Sequence, residues 1–194
     1  MSPGKRESHG AWPTDTEFIG GLMNSDLYNA VPRARLRSLL TGLDTALITA
    51  RGERVEPLPA TQQSLTIEHV LPQQWSTHWP LPAGDVERLT AVRQQNVHVL
   101  GNLTLTTGKV LNSSLSNAPW VEKRPTLQKH SLLRLTTASI LTVPDGISGW
   151  TAAEWEADWD EMRIGARTVW LIQLALATWS RPKDLEETET PDGY

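Results

Sequence analysis

The stretch "SLTIEHVLPQQW", residues 64–75, decides the fold because it fixes where the first strand ends. Its apolar residues predict a short strand over 65–70, and the proline at position 72 stops that strand. The strand finishes on Glu68 and His69, a carboxylate followed directly by an imidazole. A lone Glu–His pair at a strand end is usually structural, so its meaning depends on what the rest of the chain places beside it.

A second stretch, "HVLGNLTLTTGKVLNSSLSN" at 98–117, supplies the neighbouring segments. It predicts a strand from about 97 to 106 that contains Asn102, followed by a helix that contains Asn112 and ends at Pro119. The order strand, long insertion, strand, helix therefore predicts an antiparallel hairpin with a helix packed beside it.

Helical patterns surround this motif region. The "TDTE" segment at 14–17 has the form of a capping box, and leucines recur at helical spacing after Pro32. Residues 82–96 and 151–179 also fit amphipathic helices. The expected inward faces are Leu36, Leu39, Leu40, Leu43 and Leu47 in the first helix, Val86, Leu89 and Val92 in the second, and Trp155, Trp159, Met162, Ala166, Val169, Ile172 and Leu176 in the third. We interpret these tryptophans as core rather than as a base-stacking platform.

The predicted fold class is mainly α with a small antiparallel β-hairpin. One domain spans 13–180, with a motif core at about 64–124 and flanking helices at 14–50 and 151–179. We expect residues 1–12 to be a disordered leader or junction segment, and residues 181–194 to be an acidic disordered tail.

Composition excludes several classes of function. The chain of 194 residues has no cysteine, so it has no disulfide, no thiolate nucleophile and no cysteine-based zinc site. It has no 18-residue apolar span and no signal peptide, which predicts a cytoplasmic protein without membrane contact. The net charge is −4, but residues 101–140 hold five Lys or Arg against one Glu. Such a basic segment can steer a polyanion, although a solvated charged face is its commoner meaning.

The residue types at the motif fit the needs of phosphodiester hydrolysis. A general base must activate water, and the pKa of histidine suits that task at neutral pH. A carboxylate with an amide oxygen suits Mg²⁺ or Mn²⁺, which can neutralise charge on the leaving oxygen. Because successive strand residues point to opposite sides, Glu68 and His69 can flank one phosphate.

The pattern "IEHVLPQQW … HVLGNLTLTTGKVLNSSLSNAPWVEKR" resembles the C-terminal nuclease domain of GmrSD-type modification-dependent restriction enzymes. It also resembles the SspE-like nicking effector of phosphorothioate-sensing phage-defence systems. Both belong to the HNH, or His-Me finger, group with a ββα-metal core. The resemblance implies a helical domain built around such a centre, and a nicking DNA endonuclease that needs one Mg²⁺ or Mn²⁺ ion.

Carried over by position, the resemblance assigns four roles. His69 is the expected general base, and Asn102 the residue that supports it. Glu68 is the expected metal ligand, and Asn112 the residue that completes the metal site. The cysteine pairs that hold zinc in many small HNH domains are absent here. An N-terminal NTPase-like sensor domain, usual in the family, is also absent, so we expect this chain to be a C-terminal part that works with such a partner.

Other polar residues near the motif are weaker candidates. Lys109, Lys123 and Arg124 are candidates for contacts to DNA phosphates, with exposed solubilising charge as the alternative. Asn117 fits a helix cap or the site equally well, and His98 fits a phosphate contact or a packed strand residue. Two other functions stay open: a DNA-binding module that has the HNH-like fold but no activity, and a helical protein-interaction adaptor.

Overall fold

The structure is a computed structural model, and it describes residues 13–56, 65–107 and 116–179. Two strands lie within it, β1 (Leu65–His69) and β2 (Leu103–Thr107), with 3-10 turns at Trp75–Thr77 and Leu100–Asn102. The described helices are α1 (Asp15–Met23), α2 (Leu27–Ala30), α3 (Arg33–Ala50), α4 (Val86–Val97), α5 (Trp120–His130), α6 (Arg134–Thr137), α7 (Ala152–Ala157) and α8 (Glu161–Thr178).

The two strands form the predicted antiparallel hairpin. Leu65 pairs with Thr107 at one end of the ladder, and His69 pairs with Leu103 at the other. Leu103 and Leu105 of β2 are fully buried in a core that also includes residues of α3, α6 and α8. The predicted fold class, mainly α with a small antiparallel hairpin, is therefore confirmed. The helix expected after β2 falls largely on residues 108–115, which lie outside the described residues.

The second strand is shorter than predicted, because the chain turns before it enters the sheet. The segment expected as strand from position 97 instead holds the end of α4 and the 3-10 turn. The turn packs closely on α8: the Gly101 amide donates to Thr168 Oγ1 at 3.1 Å, and Arg167 donates to the Gly101 carbonyl at 2.7 Å. A Cβ atom at Gly101 would lie 2.0 Å from the Ile164 carbonyl oxygen. Only glycine allows this approach, and the approach fixes the turn.

Helix α4 does not bury the face that its apolar residues predict. Val86 and Val92 are 65% and 37% exposed, whereas Arg93 is buried. The Arg93 guanidinium donates to the Trp79 carbonyl at 2.6 Å and forms an ion pair with Glu161. These partners hold the arginine side of the helix inward.

Two further predictions concern helix ends. Ser116 is the last helical residue before Pro119, as predicted, and Pro119 is also the N-cap of α5. The long pattern at 151–179 is two helices, because the Asp160 side chain caps a new start by accepting from the Arg163 amide. Trp155 and Trp159 are buried core residues, as predicted, although Met162 and Val169 of the same stripe are exposed.

The remaining helical predictions fare better. The capping box at Thr14 and Glu17 is present, and Leu36, Leu40, Leu43 and Leu47 of α3 are buried as expected. Among the described residues, no helix has the length and apolar character needed to cross a membrane.

Candidate active site

Glu68 and His69 are the last two residues of β1, and they face different helices. The Glu68 carboxylate contacts α5, and the His69 ring contacts α2 and the residue that ends α4. The strand stops here because the chain turns: the Val70 amide donates to the Asn102 carbonyl at 3.0 Å, and Leu71 is fully buried. The end of the hairpin thus holds a carboxylate on one side and an imidazole on the other.

Both ring nitrogens of His69 have partners. Its Nε2 lies 3.0 Å from Nδ1 of His98, and its Nδ1 lies 3.2 Å from the side-chain nitrogen of Gln73. The ring of Tyr28 meets the His69 ring edge-on at a centroid distance of 4.3 Å. His69 is only 6% exposed, so these contacts replace most of its hydration.

Burial lowers the pKa of His69 to about 3, and the charges of His98, Lys123 and Arg33 act in the same direction. Asp26 opposes this shift weakly. The imidazole is therefore neutral at neutral pH. A neutral imidazole is the form that can accept a proton from water.

Glu68 forms an ion pair with Lys123, and this pair overturns an expectation. Lys123 is fully buried, and its Nζ donates to Glu68 Oε1 at 2.7 Å, to the His69 carbonyl at 2.5 Å and to the Ser116 carbonyl at 2.8 Å. Three acceptors match the three N–H donors of an ammonium group. Lys123 is therefore not a surface cation free to contact DNA phosphates, because its charge is used inside the protein.

Each residue of this pair stabilises the charged form of the other. Burial raises the pKa of the Glu68 carboxyl and lowers the pKa of the Lys123 ammonium. Each partner's charge offsets part of the other's shift. Loss of either side chain would leave the other as a buried group without its counter-charge.

Two of the weaker candidates, Arg124 and Asn117, bond to partners other than His69. Arg124 forms a 2.5 Å ion pair with Glu156 and is also largely occupied within the protein. Asn117 donates to the Gln74 side chain at 3.2 Å. Lys109 and Asn112 lie outside the described residues, so their expected roles stay predictions.

Asn102 is close to the site but does not support the imidazole directly. It ends the 3-10 turn rather than lying within β2, and it is fully buried. Its side chain donates to the carbonyls of Leu71 and Val97, each at 2.8 Å. Its Oδ1 accepts from the Leu71 amide at 2.8 Å and from Trp159 Nε1 at 3.1 Å. Asn102 therefore fixes the backbone that follows His69, and all its side-chain bonds are used for that purpose.

Three residues at the site were missed by the sequence reading. Gln73 lies four residues after His69. The turn at Pro72 could therefore have indicated that the Gln73 side chain is close to the His69 ring. Tyr28 and Arg33 carry no local signal, because α2 and α3 reach the histidine only through tertiary packing. The Arg33 guanidinium lies 3.3 Å from the centroid of the Tyr28 ring, which is a cation–π contact.

The described residues fit a divalent cation only in part. Among residues 13–56, 65–107 and 116–179, no group of three or more His, Asp and Glu is spaced to hold a metal ion. Mg²⁺ needs few protein ligands, however, and commonly binds one or two carboxylates with water and substrate phosphate. Glu68 supplies one such carboxylate, and its Oε1 already contacts the Lys123 ammonium. Glu68 therefore offers one oxygen ligand of the type that a hard cation takes.

Comparison with known proteins identifies the family of the chain. The fold is a helical domain with a hairpin that carries a carboxylate–histidine pair. Residues 12–174 match the family of GmrSD restriction endonucleases, C-terminal domain, and the chain belongs to that family. The family is one of restriction endonucleases, so the protein is a nuclease domain that acts on DNA. No curated protein and no solved structure matches the chain.

Proposed function

We propose that this protein is a metal-dependent endonuclease domain of the HNH type that nicks DNA as an effector of phage defence. The observation that supports it most is the His69 imidazole, which is neutral, buried and held on both nitrogens beside the Glu68 carboxylate. A positioned neutral histidine is suited to act as a general base, and the family supplies DNA as the substrate.

Hydrogen bonding decides which nitrogen of His69 acts. The Gln73 side-chain nitrogen can only donate, so His69 Nδ1 must be an acceptor without a proton. The lone pair available to a water molecule is therefore on Nδ1, and Gln73 occupies that position. Gln73 is exposed, so its side chain can swing away when DNA and the attacking water enter.

The chemical step follows from this arrangement. His69 Nδ1 takes a proton from water, and the resulting hydroxide attacks the phosphorus in line with the 3′ oxygen. The bond between phosphorus and that oxygen breaks, which leaves a 5′-phosphate and a 3′-hydroxyl once the leaving oxygen takes a proton from solvent. The phosphodiester itself assists, because a negative charge beside the imidazole raises the pKa of His69 toward that of a useful base.

Glu68, together with Asn112, would hold one Mg²⁺ or Mn²⁺ ion, whose charge supplies stabilisation of the leaving oxygen. Lys123 holds the Glu68 carboxylate against α5. The restriction enzymes of this family would use a separate sensor domain to recognise modified DNA, phosphorothioate included, so we propose that this domain contributes cleavage rather than recognition.

Among the described residues, Arg33 is the cation best placed to contact DNA near the histidine. It is exposed, it stacks on the Tyr28 ring, and no Asp or Glu among the described residues forms an ion pair with it. The stack fixes its side chain one ring away from His69. A guanidinium so placed suits a phosphate next to the scissile one.

Supercoiled plasmid is the substrate that tests the proposed function. With Mn²⁺ or Mg²⁺, we expect open circles to accumulate before linear DNA at dispersed positions, because one site cleaves one strand at a time. A chelator should stop the reaction. Plasmid that is bound but never cleaved with any metal would instead indicate the inactive binding module. A protein with no affinity for DNA would indicate the helical adaptor.

The DNA path is tested by the salt dependence of binding. We expect Arg33→Ala to lower the slope of log K against log[salt] by about 0.9 on duplex DNA, because one phosphate contact is lost. Arg35→Ala is the matched control: it removes the same charge from α3, but two residues along a helix place it on another face. If both variants change the slope equally, the arginines of α3 act only through their overall charge, and Arg33 makes no specific phosphate contact.

A further inference from the structure

We propose that His98 is the positioning residue for the base, and that it holds His69 in its active tautomer by accepting a hydrogen bond from His69 Nε2–H. The proposal rests on the proposed function in one respect, the role of His69 as base. It assigns His98 a task different from the phosphate contact or strand packing that its position in the sequence suggests.

The tautomer follows from the two contacts of His69 taken together. Because the Gln73 amide nitrogen donates to Nδ1, the single proton of the neutral His69 ring lies on Nε2. The Nε2 to His98 Nδ1 distance of 3.0 Å then describes a bond in which His69 donates and His98 accepts. His98 in turn carries its own proton on Nε2.

His98 is held where this bond requires it. It is the C-cap residue of α4, and its carbonyl accepts from the Tyr28 amide at 3.4 Å. The Tyr28 ring stacks on the His98 ring with an interplanar angle of 10° and a centroid distance of 5.5 Å. The same tyrosine meets His69 edge-on, so one aromatic ring fixes the angle between the two imidazoles.

The far side of the His98 ring reaches solvent. His98 lines an open cavity of about 400 Å³ with Asn24, Asp26, Gln94 and Gln95. The Nε2–H of His98 therefore has polar surroundings, and the ring need not turn over to satisfy it. His98 Nδ1 can accept from His69 while Nε2 is hydrated or bonded to the polar wall.

This bond matters most in the chemical step. When His69 Nδ1 takes the proton of water, the ring becomes a cation with N–H groups on both nitrogens. An acceptor already in place on Nε2 stabilises that cation without rearrangement. Asn102, which the sequence suggested for this role, has its side chain committed to Leu71, Val97 and Trp159.

Two substitutions of His98 test separately its hydrogen bond to His69 and its stacking on Tyr28. In His98→Asn, Oδ1 takes the place of Nδ1, so the acceptor is kept while the ring that stacks on Tyr28 is lost. In His98→Phe, the ring is kept and the acceptor is lost. We expect His98→Phe to lower kcat for plasmid nicking by about 10- to 100-fold. His98→Asn should retain most of the wild-type kcat, and both variants should keep the wild-type KM.

A second measurement does not need activity. Nitrogen chemical shifts of the His69 ring in the wild-type protein report which nitrogen carries the proton. We expect the proton on Nε2 in the wild type and in His98→Asn, and a mixture of tautomers in His98→Phe. Failure of the wild type to cleave DNA would count against the proposed function alone, since the ring shifts would still test the bond.

Either of two results would overturn the role of His98. One is a wild-type His69 with its proton on Nδ1. The other is equal kcat in the two His98 variants, whether both are active or both are impaired, because the acceptor would then make no difference.

Discussion

Replacing His69 by alanine is expected to abolish plasmid nicking while the protein stays folded and keeps its affinity for DNA. The substitution removes the group proposed to take the proton from water, and loss of a positioned general base costs on the order of 10²–10⁴ in rate. Binding should persist because the proposed phosphate contacts come from cations such as Arg33, not from the neutral imidazole. The measurements are the rate of open-circle formation and the dissociation constant for a short duplex.

The control for this prediction must address packing, since His69 is buried between Tyr28 and His98. His69→Asn fills more of the space, and should be as inactive as His69→Ala while unfolding at a temperature closer to that of the wild type. His78→Ala removes an exposed histidine from the turn before α4 and should leave the rate unchanged. If His69→Ala kept more than half of the wild-type rate, His69 would not be the base.

The hairpin was predictable because its information is local. Leu65 and Ile67 are apolar residues two positions apart, Pro72 follows the end of the strand, and the second apolar run has the length to pair with the first. The capping box at Thr14 is local in the same sense, since both of its bonds join residues three apart. Features of this kind depend on a few neighbouring side chains, which the sequence displays directly.

The place of Asn102 was not predictable from the same pattern. The run "VHVLGNLTL" reads as one continuous strand, but Gly101 packs against α8, more than sixty residues later in the chain. That contact converts the first half of the run into a turn. It points the Asn102 side chain at the backbone of Leu71 instead of at the His69 ring.

The residues that surround His69 could not be predicted from the sequence, for a similar reason. His98 and Tyr28 reach it from the end of α4 and from α2, 29 residues after it and 41 before it in the sequence. No periodicity links residues so far apart. The sequence indicates the residue proposed as the base, but the contact between His69 and His98 depends on how the helices pack around the hairpin.

Lys123 is the residue whose burial differs most from what the sequence predicts. A lysine next to an arginine and two residues before a proline is normally solvated, and lysine is among the residues least often buried. Its burial depends on three acceptors meeting at one point: Glu68, the His69 carbonyl and the Ser116 carbonyl. Two of them come from β1, more than fifty residues earlier in the chain.

This arrangement predicts a large loss of stability when the charge is removed. We expect Lys123→Met to lower the free energy of unfolding by about 3–5 kcal/mol, because methionine fills the space but leaves the Glu68 carboxylate buried without its counter-charge. Two backbone carbonyls would also lose a donor. Chemical denaturation followed by tryptophan fluorescence measures the change, since Trp155 and Trp159 are buried in the folded state.

Two comparisons make this last expectation specific. Lys129→Met removes the same charge from the last turn of the same helix, where the side chain is exposed, and should change the free energy of unfolding by less than about 0.5 kcal/mol. Glu68→Gln combined with Lys123→Met should recover part of the loss, because the double variant has no unpaired buried charge. A Lys123→Met variant as stable as Lys129→Met would show that the ion pair does not hold β1 to α5. Another contact would then have to fix the Glu68 side chain if Glu68 is a metal ligand.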